Sequence, residues 1–417
     1  MPTGKLQITG ALVAGFSLAA LGAEPPTDWV DRDTGHRIIR LSREPGTESL
    51  YFNQNAYTPN GDKMVVLTPE GISTIDLKTH GIDLVVARTT NSVAGVIAGH
   101  ATRNVYYTRW TGSDNVAYAT DVDTHATREI GKLPGARRSG FLATVNADDT
   151  WLAGAFVVGH PAGLERAPRD PRLSKGEWMQ QRFDLHLPME LFTMDIKTGK
   201  VHAFEPETNW LGHVQASPSD PDLLLFCHEG PWHMLDRIWT IHPSGGGPQL
   251  VHTRTMAMEI AGHEFFGVDG KTIWYDLQTP RGEDFWVGGY EPATSKRTWY
   301  HLERNEWSVH FNVSPDGKLF AGDGDDSGGV ARATDGKWIY LFRPELVRAP
   351  EAARELDGGK LITPGVFRPE RLVNMKAHDY SLEPNVNFTP DGKWIVFRSN
   401  MFGPAHVFAV EVAKNEK

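Results

Sequence analysis

The chain has 417 residues, of which 40% are hydrophobic, and its formal net charge is −10. This composition predicts one large soluble domain, and the acidic balance argues against a nucleic-acid partner. The single cysteine, Cys227, excludes an intramolecular disulfide, and its apolar setting predicts a buried structural thiol. An anionic glycan would need a local basic pocket on such an acidic protein.

The first predicted element is a targeting segment. Lys5 precedes an apolar stretch over residues 8–21, which is followed by the small residues Gly22 and Ala23. An apolar core of this length with a small-residue end predicts a cleaved signal peptide at residues 1–23. An uncleaved N-terminal anchor is the alternative. Cleavage would place the mature protein in the periplasm or outside the cell, with no membrane segment.

A turn motif of the Ser/Thr-Pro-Asp-Gly-Lys type recurs through the rest of the chain. Full or partial copies begin at Thr58, Ser217, Val268, Ser314 and Thr389, and weaker versions lie at 98–100 and 146–149. Each copy precedes a β-rich run, and most units contain a second hairpin, which predicts four antiparallel strands per unit. The unit spacing, about 50 residues where nothing is inserted, is typical of propeller blades. Seven units predict an all-β, seven-bladed β-propeller as a single domain over residues 27–417.

The two ends of the chain predict how the ring closes. Residues 35–41 resemble the outermost strand of a blade, whereas the C-terminal unit ends at 407–412 without a fourth strand. The N-terminal strand is therefore expected to complete the last blade and to remove the open edge.

Two stretches, 158–188 and 344–371, are longer than the blades require. Long insertions on one face of a propeller often shape a binding cleft. The first insertion is rich in basic and aromatic residues, Arg182 among them, which suits a sugar acid. A solvated loop that packs over the third blade is the alternative.

A polar side chain lies five positions before the proline of each clear turn, or before Val268, which takes the place of the proline in one copy. These residues are Gln54, His213, His263, His310 and Asn385. Alternate residues of the innermost strand of a blade face the central channel, so we expect these side chains to point to one region. The same alternation adds Glu383, Gln215, Asn312 and Asn387. Three histidines with carboxylate and amide oxygens could bind a metal. Alternatively, these side chains only hydrogen-bond water in the channel.

Several strings of residues resemble the oligogalacturonate lyase family. They are Asn209-Trp210-Leu211-Gly212-His213, Phe226-Cys227-His228-Glu229-Gly230-Pro231, Asp236-Arg237-Ile238-Trp239 and Gly262-His263-Glu264-Phe265, together with the turns at Ser314 and Thr389. The resemblance is strong over about residues 209–278 and faint over 90–190. It implies a propeller lyase that cleaves uronic-acid oligosaccharides by β-elimination and leaves a 4,5-unsaturated product. The family uses a divalent metal, Mn²⁺.

The resemblance also implies roles for individual residues. His263 would be the base that removes the C5 proton, and Arg237 would stabilise the substrate carboxylate or enolate. A surface ion pair with Asp236 is the alternative role of Arg237. Substrate contacts are expected for His213, Gln54, His228 and Arg182.

The metal site implied by the resemblance is divergent in this chain. His310 matches a metal ligand, but the last blade has Tyr380, Glu383 and Asn385 where family members have a glutamine and two histidines. Oxygen ligands of this kind favour a hard cation such as Mn²⁺, Ca²⁺ or Mg²⁺.

Two other functions stay open at this stage. A hydrolase on the same scaffold would need two opposed carboxylates, for which Glu264, Asp276, Glu283 and Glu383 are loose candidates. A non-catalytic propeller that binds a glycan or a protein is the other alternative. The substrate could contain galacturonate or a different uronic acid, and the sequence does not determine the oligomeric state.

Overall fold

The computed structural model describes residues 24–89, 93–135, 139–159, 172–326, 329–348 and 361–414. The predicted signal peptide, residues 1–23, lies outside the described residues. The described part of the chain is an all-β structure in which most sheets consist of four consecutive antiparallel strands. Among the described residues, no helix is both long and apolar enough to span a membrane.

Two short strands precede the first groups of four. Strands β1 and β2 span Asp28–Val30 and Arg37–Arg40. The first group consists of β3 (Glu48–Ser49), β4 (Lys63–Thr68), β5 (Gly71–Asp76) and β6 (Ile82–Ala87). The second group consists of β7 (Val93–Ala98), β8 (Asn104–Thr111), β9 (Asp114–Asp121) and β10 (Thr127–Lys132).

The third and fourth groups each include a short helical segment. The third group consists of β11 (Gly140–Val145), β12 (Trp151–Val157), β13 (Met189–Asp195) and β14 (Val201–Glu207). Helix α1, Lys175–Asp184, lies between β12 and β13 and begins with a capping box formed by Ser174 and Glu177. The fourth group consists of β15 (Trp210–Ala216), β16 (Leu224–Glu229), β17 (Ile238–Ile241) and β18 (Gln249–Leu250), with a 3-10 turn at Trp232–Met234.

An eight-stranded sheet joins the fifth and sixth groups. The fifth group consists of β19 (Ile260–Phe266), β20 (Ile273–Gln278), β21 (Phe285–Glu291) and β22 (Lys296–Leu302), followed by a 3-10 turn at Arg304–Glu306. The sixth group consists of β23 (Phe311–Val313), β24 (Phe320–Gly322), β25 (Trp338–Leu346) and β26 (Thr363–Asn374). Strands β22 and β26 pair in parallel, with Thr298 opposite Thr363 and His301 opposite Val366.

The last sheet combines both ends of the chain. It contains β27 (Asn387–Phe388), β28 (Trp394–Ser399) and β29 (His406–Glu411) in addition to β1 and β2. Strand β2 pairs antiparallel with β29, with Ile38 opposite Val410 and Arg40 opposite Phe408.

The repeated turns connect the first and second strands of their groups. Gly61, Gly317 and Gly392 each donate a 2.8 Å backbone hydrogen bond to the Thr or Ser that begins the turn. Their φ angles of 65° to 71° lie in the left-handed region, which glycine adopts without strain. Neighbouring turns approach each other, because a side chain at Gly61 would meet Pro390 and one at Gly392 would meet Pro315. We call this side of the molecule the turn face and the opposite side the loop face.

The direction of the strands places the two insertions on different faces. Helix α1 follows the second strand of its group and therefore lies on the loop face. The described residues of the second insertion follow β25, a third strand, and lie on the turn face, whereas residues 349–360 lie outside the described residues. Much of its excess length is strand, since β25 and β26 remain paired out to Leu346 opposite Gly365. Only the first insertion borders the loop face.

Neutral polar side chains of the first strands connect neighbouring groups. The amide of Gln215 donates to the carbonyl of Glu264 at 2.7 Å, and that of Asn387 donates to the carbonyl of Phe52 at 3.1 Å. The Asn312 oxygen accepts the backbone N–H of Phe388 at 2.9 Å. These three amides, expected to face the channel as possible ligands, also join the sheets.

Candidate active site

Three of the five repeated polar residues lie in strained backbone. His213, His263 and Asn385 have φ angles of 45°, 43° and 54°. The pairing of β15 with β16 and that of β19 with β20 both shift register around the histidine. A β-bulge of this kind turns a side chain out of the regular alternation, and such strain is concentrated at functional sites.

A buried ion cluster surrounds Arg237. Its Nη1 donates to Glu229 Oε1 at 2.8 Å and its Nε donates to Glu264 Oε2 at 3.1 Å, while the residue is only 2% exposed. Burial alone would raise the pKa of Glu264, but Arg237 and His213 hold that pKa well below its ordinary range. The alternative of a surface pair with Asp236 is wrong, because Asp236 contacts Arg254 instead. We call Arg237, Glu229, Glu264 and His213 the arginine cluster.

His213 lies between the two carboxylates of this cluster. Its Nδ1 is 3.2 Å from Glu264 Oε1, and its Nε2 is 3.6 Å from Glu229 Oε2. Ligand atoms of His213, Cys227 and Glu229 all lie within 4.8 Å of one another, so the three could hold a metal ion. The thiol of Cys227 is fully buried, and burial raises its pKa well above the ordinary value.

His263 lies between the arginine cluster and His310. Its ring is 5.2 Å from the Trp232 ring, which in turn lies under the Arg237 guanidinium at 4.7 Å. On the other side, the His263 and His310 rings are 4.9 Å apart. The Nδ1 atom of His263 is 3.3 Å from Asp276 Oδ1, which places a carboxylate behind the imidazole.

His310 is fully buried and is held by an aspartate. Its Nδ1 is 2.7 Å from Asp323 Oδ2, and its backbone N–H donates to Asp323 Oδ1 at 2.8 Å. Burial would lower the pKa of His310, but the Asp323 carboxylate raises it above the ordinary value. The Nε2 atom is 3.2 Å from the Tyr51 hydroxyl and 3.9 Å from Glu383 Oε2. We call His310, Asp323, Glu383 and Tyr51 the histidine cluster.

The side chains of two predicted metal ligands, Asn385 and Tyr380, contact residues other than His310. The Asn385 side chain accepts the Phe52 N–H at 3.3 Å and donates to the Glu383 carbonyl at 3.1 Å. The Tyr380 ring packs at 4.7 Å from His378, and its hydroxyl has no hydrogen-bond partner among the described residues. The structure therefore brings His310 and Glu383 together but uses Asn385 to hold the backbone of the first strand group.

The predicted substrate-binding residues lie at different distances from the clusters. Gln54 accepts the Tyr51 backbone N–H at 3.1 Å, beside the histidine cluster. His228 pairs with Glu207 at 2.7 Å, one residue before Glu229. The Arg182 guanidinium of α1 stacks over Trp210 at 5.0 Å, on the rim of the loop face.

The comparison with known proteins decides the family. The sequence model of the oligogalacturonate lyase family matches residues 27–415. This chain belongs to the oligogalacturonate lyase family. The family resemblance deduced from the sequence is thereby confirmed.

Related lyases cover nearly the whole chain at low identity. The oligogalacturonate lyase of Dickeya dadantii is 24% identical over 403 residues, which cover 92% of this chain and 95% of that protein. The oligogalacturonide lyase of Pectobacterium atrosepticum is 24% identical over 407 residues, with the same coverage. A solved oligogalacturonate lyase in complex with manganese has a TM-score of 0.73 and 22% identity, over 93% of this chain and 96% of its own. At this identity, the structural likeness establishes a shared fold.

Four polar side chains of the candidate site are not among its predicted catalytic or metal-binding residues: Glu229, Tyr51, Asp323 and Glu264, which was a candidate only for the hydrolase alternative. Glu229 and Glu264 directly follow His228 and His263 within the strings that resemble the family, so adjacency was an available signal. Tyr51 and Asp323 had no such signal. Both reach His310 through tertiary contacts, Tyr51 from a strand group at the other end of the sequence.

A channel connects the candidate site with the turn face. It encloses about 580 Å³ and is bordered by Tyr51 and His213 at one end and by the repeated prolines, such as Pro59 and Pro315, at the other. Gln54 and the amides that join the strand groups also line it. Apolar and neutral polar residues line the channel, and no Asp, Glu, Lys or Arg is among the described residues that line it, in contrast to the two clusters.

Helix α1 covers part of the candidate site on the loop face. Its Trp178 ring contacts Trp210 edge to face at 5.5 Å, and a side chain at Gly230 would meet Phe183 at 2.6 Å. Trp210 lies opposite Glu229 in the sheet. The first insertion therefore packs directly beside the arginine cluster.

The histidine cluster fits a divalent cation. Two ligands of one ion, each about 2.1 Å from it, lie about 3 to 4 Å apart, and His310 Nε2 and Glu383 Oε2 meet this condition at 3.9 Å. A carboxylate on the other imidazole nitrogen, here Asp323, is typical of metal-binding histidines. The group of His213, Cys227 and Glu229 suits Mn²⁺ less well, because it contains a thiol and Arg237 already neutralises Glu229.

Proposed function

We propose that this protein is a lyase that cleaves oligogalacturonides, or related uronic-acid oligosaccharides, by metal-assisted β-elimination. Family membership supports the reaction class. The observation that carries the proposal is the position of His263 between a buried arginine and a buried histidine on the loop face. Arg237 Nη2 has no hydrogen-bond partner among the described residues, so it is available to a substrate carboxylate.

The proposed reaction begins at C5 of the uronate. His263 accepts the C5 proton, the electron pair of the C5–H bond forms the C4–C5 double bond, and the C4–O bond breaks. The glycosidic oxygen leaves with the electron pair of that bond and takes up a proton from water or from protonated His263. Negative charge develops on the substrate carboxylate during this step. Arg237 is placed to stabilise that charge, because Glu229 and Glu264 fix its guanidinium before the substrate binds.

We also propose a divalent cation, Mn²⁺ first and Ca²⁺ or Mg²⁺ as alternatives, held by His310 and Glu383. When bound, such an ion would polarise the substrate carboxylate and make the C5 proton more acidic. Asn385 and Tyr380, the other predicted ligands, are left out of this set because their side chains contact Phe52 and His378.

The proposed substrate contacts follow the loop face. His213 and Gln54 border the end of the channel next to the histidine cluster. Arg182 on α1 adds a positive charge at the rim beside Trp210, where a neighbouring uronate of the chain would lie. His228 is tied to Glu207 and would support the wall of the site.

We propose that the strand groups are the seven blades of a propeller, which the N-terminal strand closes. The pairing of β2 with β29 supports this closure, as does the contact between the turns at Gly61 and Pro390. We further propose that residues 1–23 are a signal peptide and that the mature protein acts in the periplasm or outside the cell. N-terminal sequencing of the exported protein would test this, and retention of residues 1–23 would contradict it.

A product assay tests the proposed activity. The purified protein is incubated with oligogalacturonides and with other oligouronides, with and without EDTA, and ultraviolet absorbance reports the C4–C5 double bond. We expect an unsaturated product that EDTA suppresses. Saturated, hydrolytic products would indicate the hydrolase alternative, and binding without any product would indicate a non-catalytic propeller. Either outcome would overturn the lyase proposal.

A further inference from the structure

Tyr51 lies in the middle of the candidate site, although no sequence pattern predicted a role for it. It precedes Phe52 in the first strand group, and its ring contacts the His310 ring edge to face at 5.2 Å. A second edge contact, at 6.2 Å, reaches His213. The Gln54 side chain holds the Tyr51 backbone N–H. The ring thus joins His310 of its own cluster to His213 of the arginine cluster.

The Tyr51 hydroxyl lies next to His310 Nε2, the nitrogen that would bind the cation. Asp323 accepts from His310 Nδ1 at 2.7 Å, so the lone pair of His310 is on Nε2. The Tyr51 hydroxyl lies 3.2 Å from that nitrogen, so with neutral His310 it is the donor to the lone pair. A cation that binds Nε2 must replace this hydrogen bond. The phenol oxygen would then lie beside the ion.

The distances from His310 Nε2 to the Tyr51 and Glu383 oxygens match those between ligands of one ion. Neighbouring ligands about 2.1 Å from an ion lie about 3 Å apart, and ligands at wider angles lie up to about 4 Å apart. The distance from His310 Nε2 to the Tyr51 oxygen is 3.2 Å, and that to Glu383 Oε2 is 3.9 Å. One nitrogen and two oxygens form a donor set that suits Mn²⁺.

We propose that the hydroxyl oxygen of Tyr51 is a third protein ligand of the cation held by His310 and Glu383. This inference rests on the metal site of the proposed function. It makes the site a junction of the first strand group with the sixth group and the segment before β27. Tyr51 from the first group would add a third ligand to His310 and to Glu383, the one carboxylate that the segment before β27 supplies.

Calorimetric titration with Mn²⁺ tests the role of Tyr51 without any substrate. The full mature protein is freed of metal with EDTA, dialysed and titrated as wild type and as Tyr51→Phe. Loss of a ligand should weaken Mn²⁺ binding by at least about tenfold, the lower end of the effect of removing a supporting partner of a metal site. Tyr57→Phe is the matched control, since the buried Tyr57 hydroxyl has no hydrogen-bond partner in the described part of the chain and Tyr57 borders the same channel. It should leave the affinity unchanged.

The direction of the change separates the outcomes. Equal affinity of Tyr51→Phe and wild type would overturn the inference. Tighter binding would also overturn it, because the hydroxyl would then only compete for His310 Nε2. The paramagnetic resonance spectrum of bound Mn²⁺ is a second readout, and Tyr51→Phe should change it while Tyr57→Phe does not. If Mn²⁺ binding depends on Tyr51 but no uronide is cleaved, the inference holds and the proposed activity fails. If the wild type binds no Mn²⁺, the inference fails.

Discussion

The arginine cluster and the histidine cluster lie side by side but handle charge in opposite ways. In the arginine cluster, two carboxylates are paired with a guanidinium that is part of the chain. In the histidine cluster, Asp323 and Glu383 face an imidazole and a phenol, and the described residues place no lysine or arginine side chain against those carboxylates. The first cluster carries its own cation, whereas the second has negative charge available for an ion from solution. A substrate carboxylate between them would meet positive charge from both sides.

Removal of Arg237 should have the largest effect and should break the first cluster. Arg237→Ala leaves Glu229 and Glu264 as buried, unpaired charges, so we expect the free energy of unfolding to fall by about 3–5 kcal/mol and the lyase activity to be lost. Denaturant titration and the product assay measure the two effects. Arg254→Ala, at the half-exposed pair with Asp236, is the control and should cost less than about 1 kcal/mol. Equal effects of the two variants would show that the buried pairing is not important.

His263→Ala should lower kcat by about 10²- to 10⁴-fold, the usual contribution of a general base. Because His263 belongs to neither cluster, the Mn²⁺ affinity of the variant should stay close to that of the wild type. Steady-state kinetics and calorimetry measure the two quantities. His242→Ala, on the exposed surface, is the control. An unchanged kcat in His263→Ala would remove this residue from the proposed mechanism.

Substitution in the histidine cluster should affect the cation and leave the arginine cluster intact. Glu383→Gln should weaken Mn²⁺ binding about 10- to 100-fold, as should Asp323→Asn, which alters the partner behind His310. The stability of metal-free Glu383→Gln should change little, since Glu383 is 41% exposed. Glu345→Gln, at an exposed pair with Arg368, is the control for both measurements. Full Mn²⁺ affinity in Glu383→Gln and Asp323→Asn would place the ion elsewhere, with His213, Cys227 and Glu229 as the next candidates.

The contrast between the clusters also shows what sequence patterns can predict. The turn repeats predicted four-stranded antiparallel sheets, because Pro-Asp-Gly turns and alternating strands depend on local chemistry. The common offset of His263 and His310 predicted that they lie together, and their rings are 4.9 Å apart. Asp323 and Tyr51 could not be found in this way. Tyr51 reaches His310 from a separate strand group, and no local period records how the groups pack. Asp323 lies beside His310 across the β23–β24 pair, but the common offset of the histidines does not include the second strand.

The same limit explains the amides of the first strands. Gln215, Asn312 and Asn387 have the spacing of channel ligands, yet they donate to or accept from the backbone of the neighbouring group. Polar residues at a buried junction must satisfy their own hydrogen bonds, and the backbone of the next sheet is the nearest partner. Spacing alone does not distinguish a ligand from such a connection. The positive φ angles of His213, His263 and Asn385 are a further feature of these positions that is not visible in the sequence.

Acid should destabilise the arginine cluster, because protonation of Glu264 removes its charge. Arg237 and His213 hold this pKa below its ordinary value, so the folded state binds the Glu264 proton less readily than the unfolded state does. The stabilisation is therefore complete above the ordinary carboxylate pKa of about 4.3 and decreases as the pH falls below it. We expect the free energy of unfolding to fall with acid in the wild type and to fall less steeply in Glu264→Gln, as measured by denaturant titration at a series of pH values. Glu345→Gln should keep the wild-type slope, because its exposed pair contributes little. Equal slopes in Glu264→Gln and the wild type would mean that the charge of Glu264 is not coupled to folding. The cluster would then lack the preorganised guanidinium on which the proposed stabilisation of the substrate carboxylate depends.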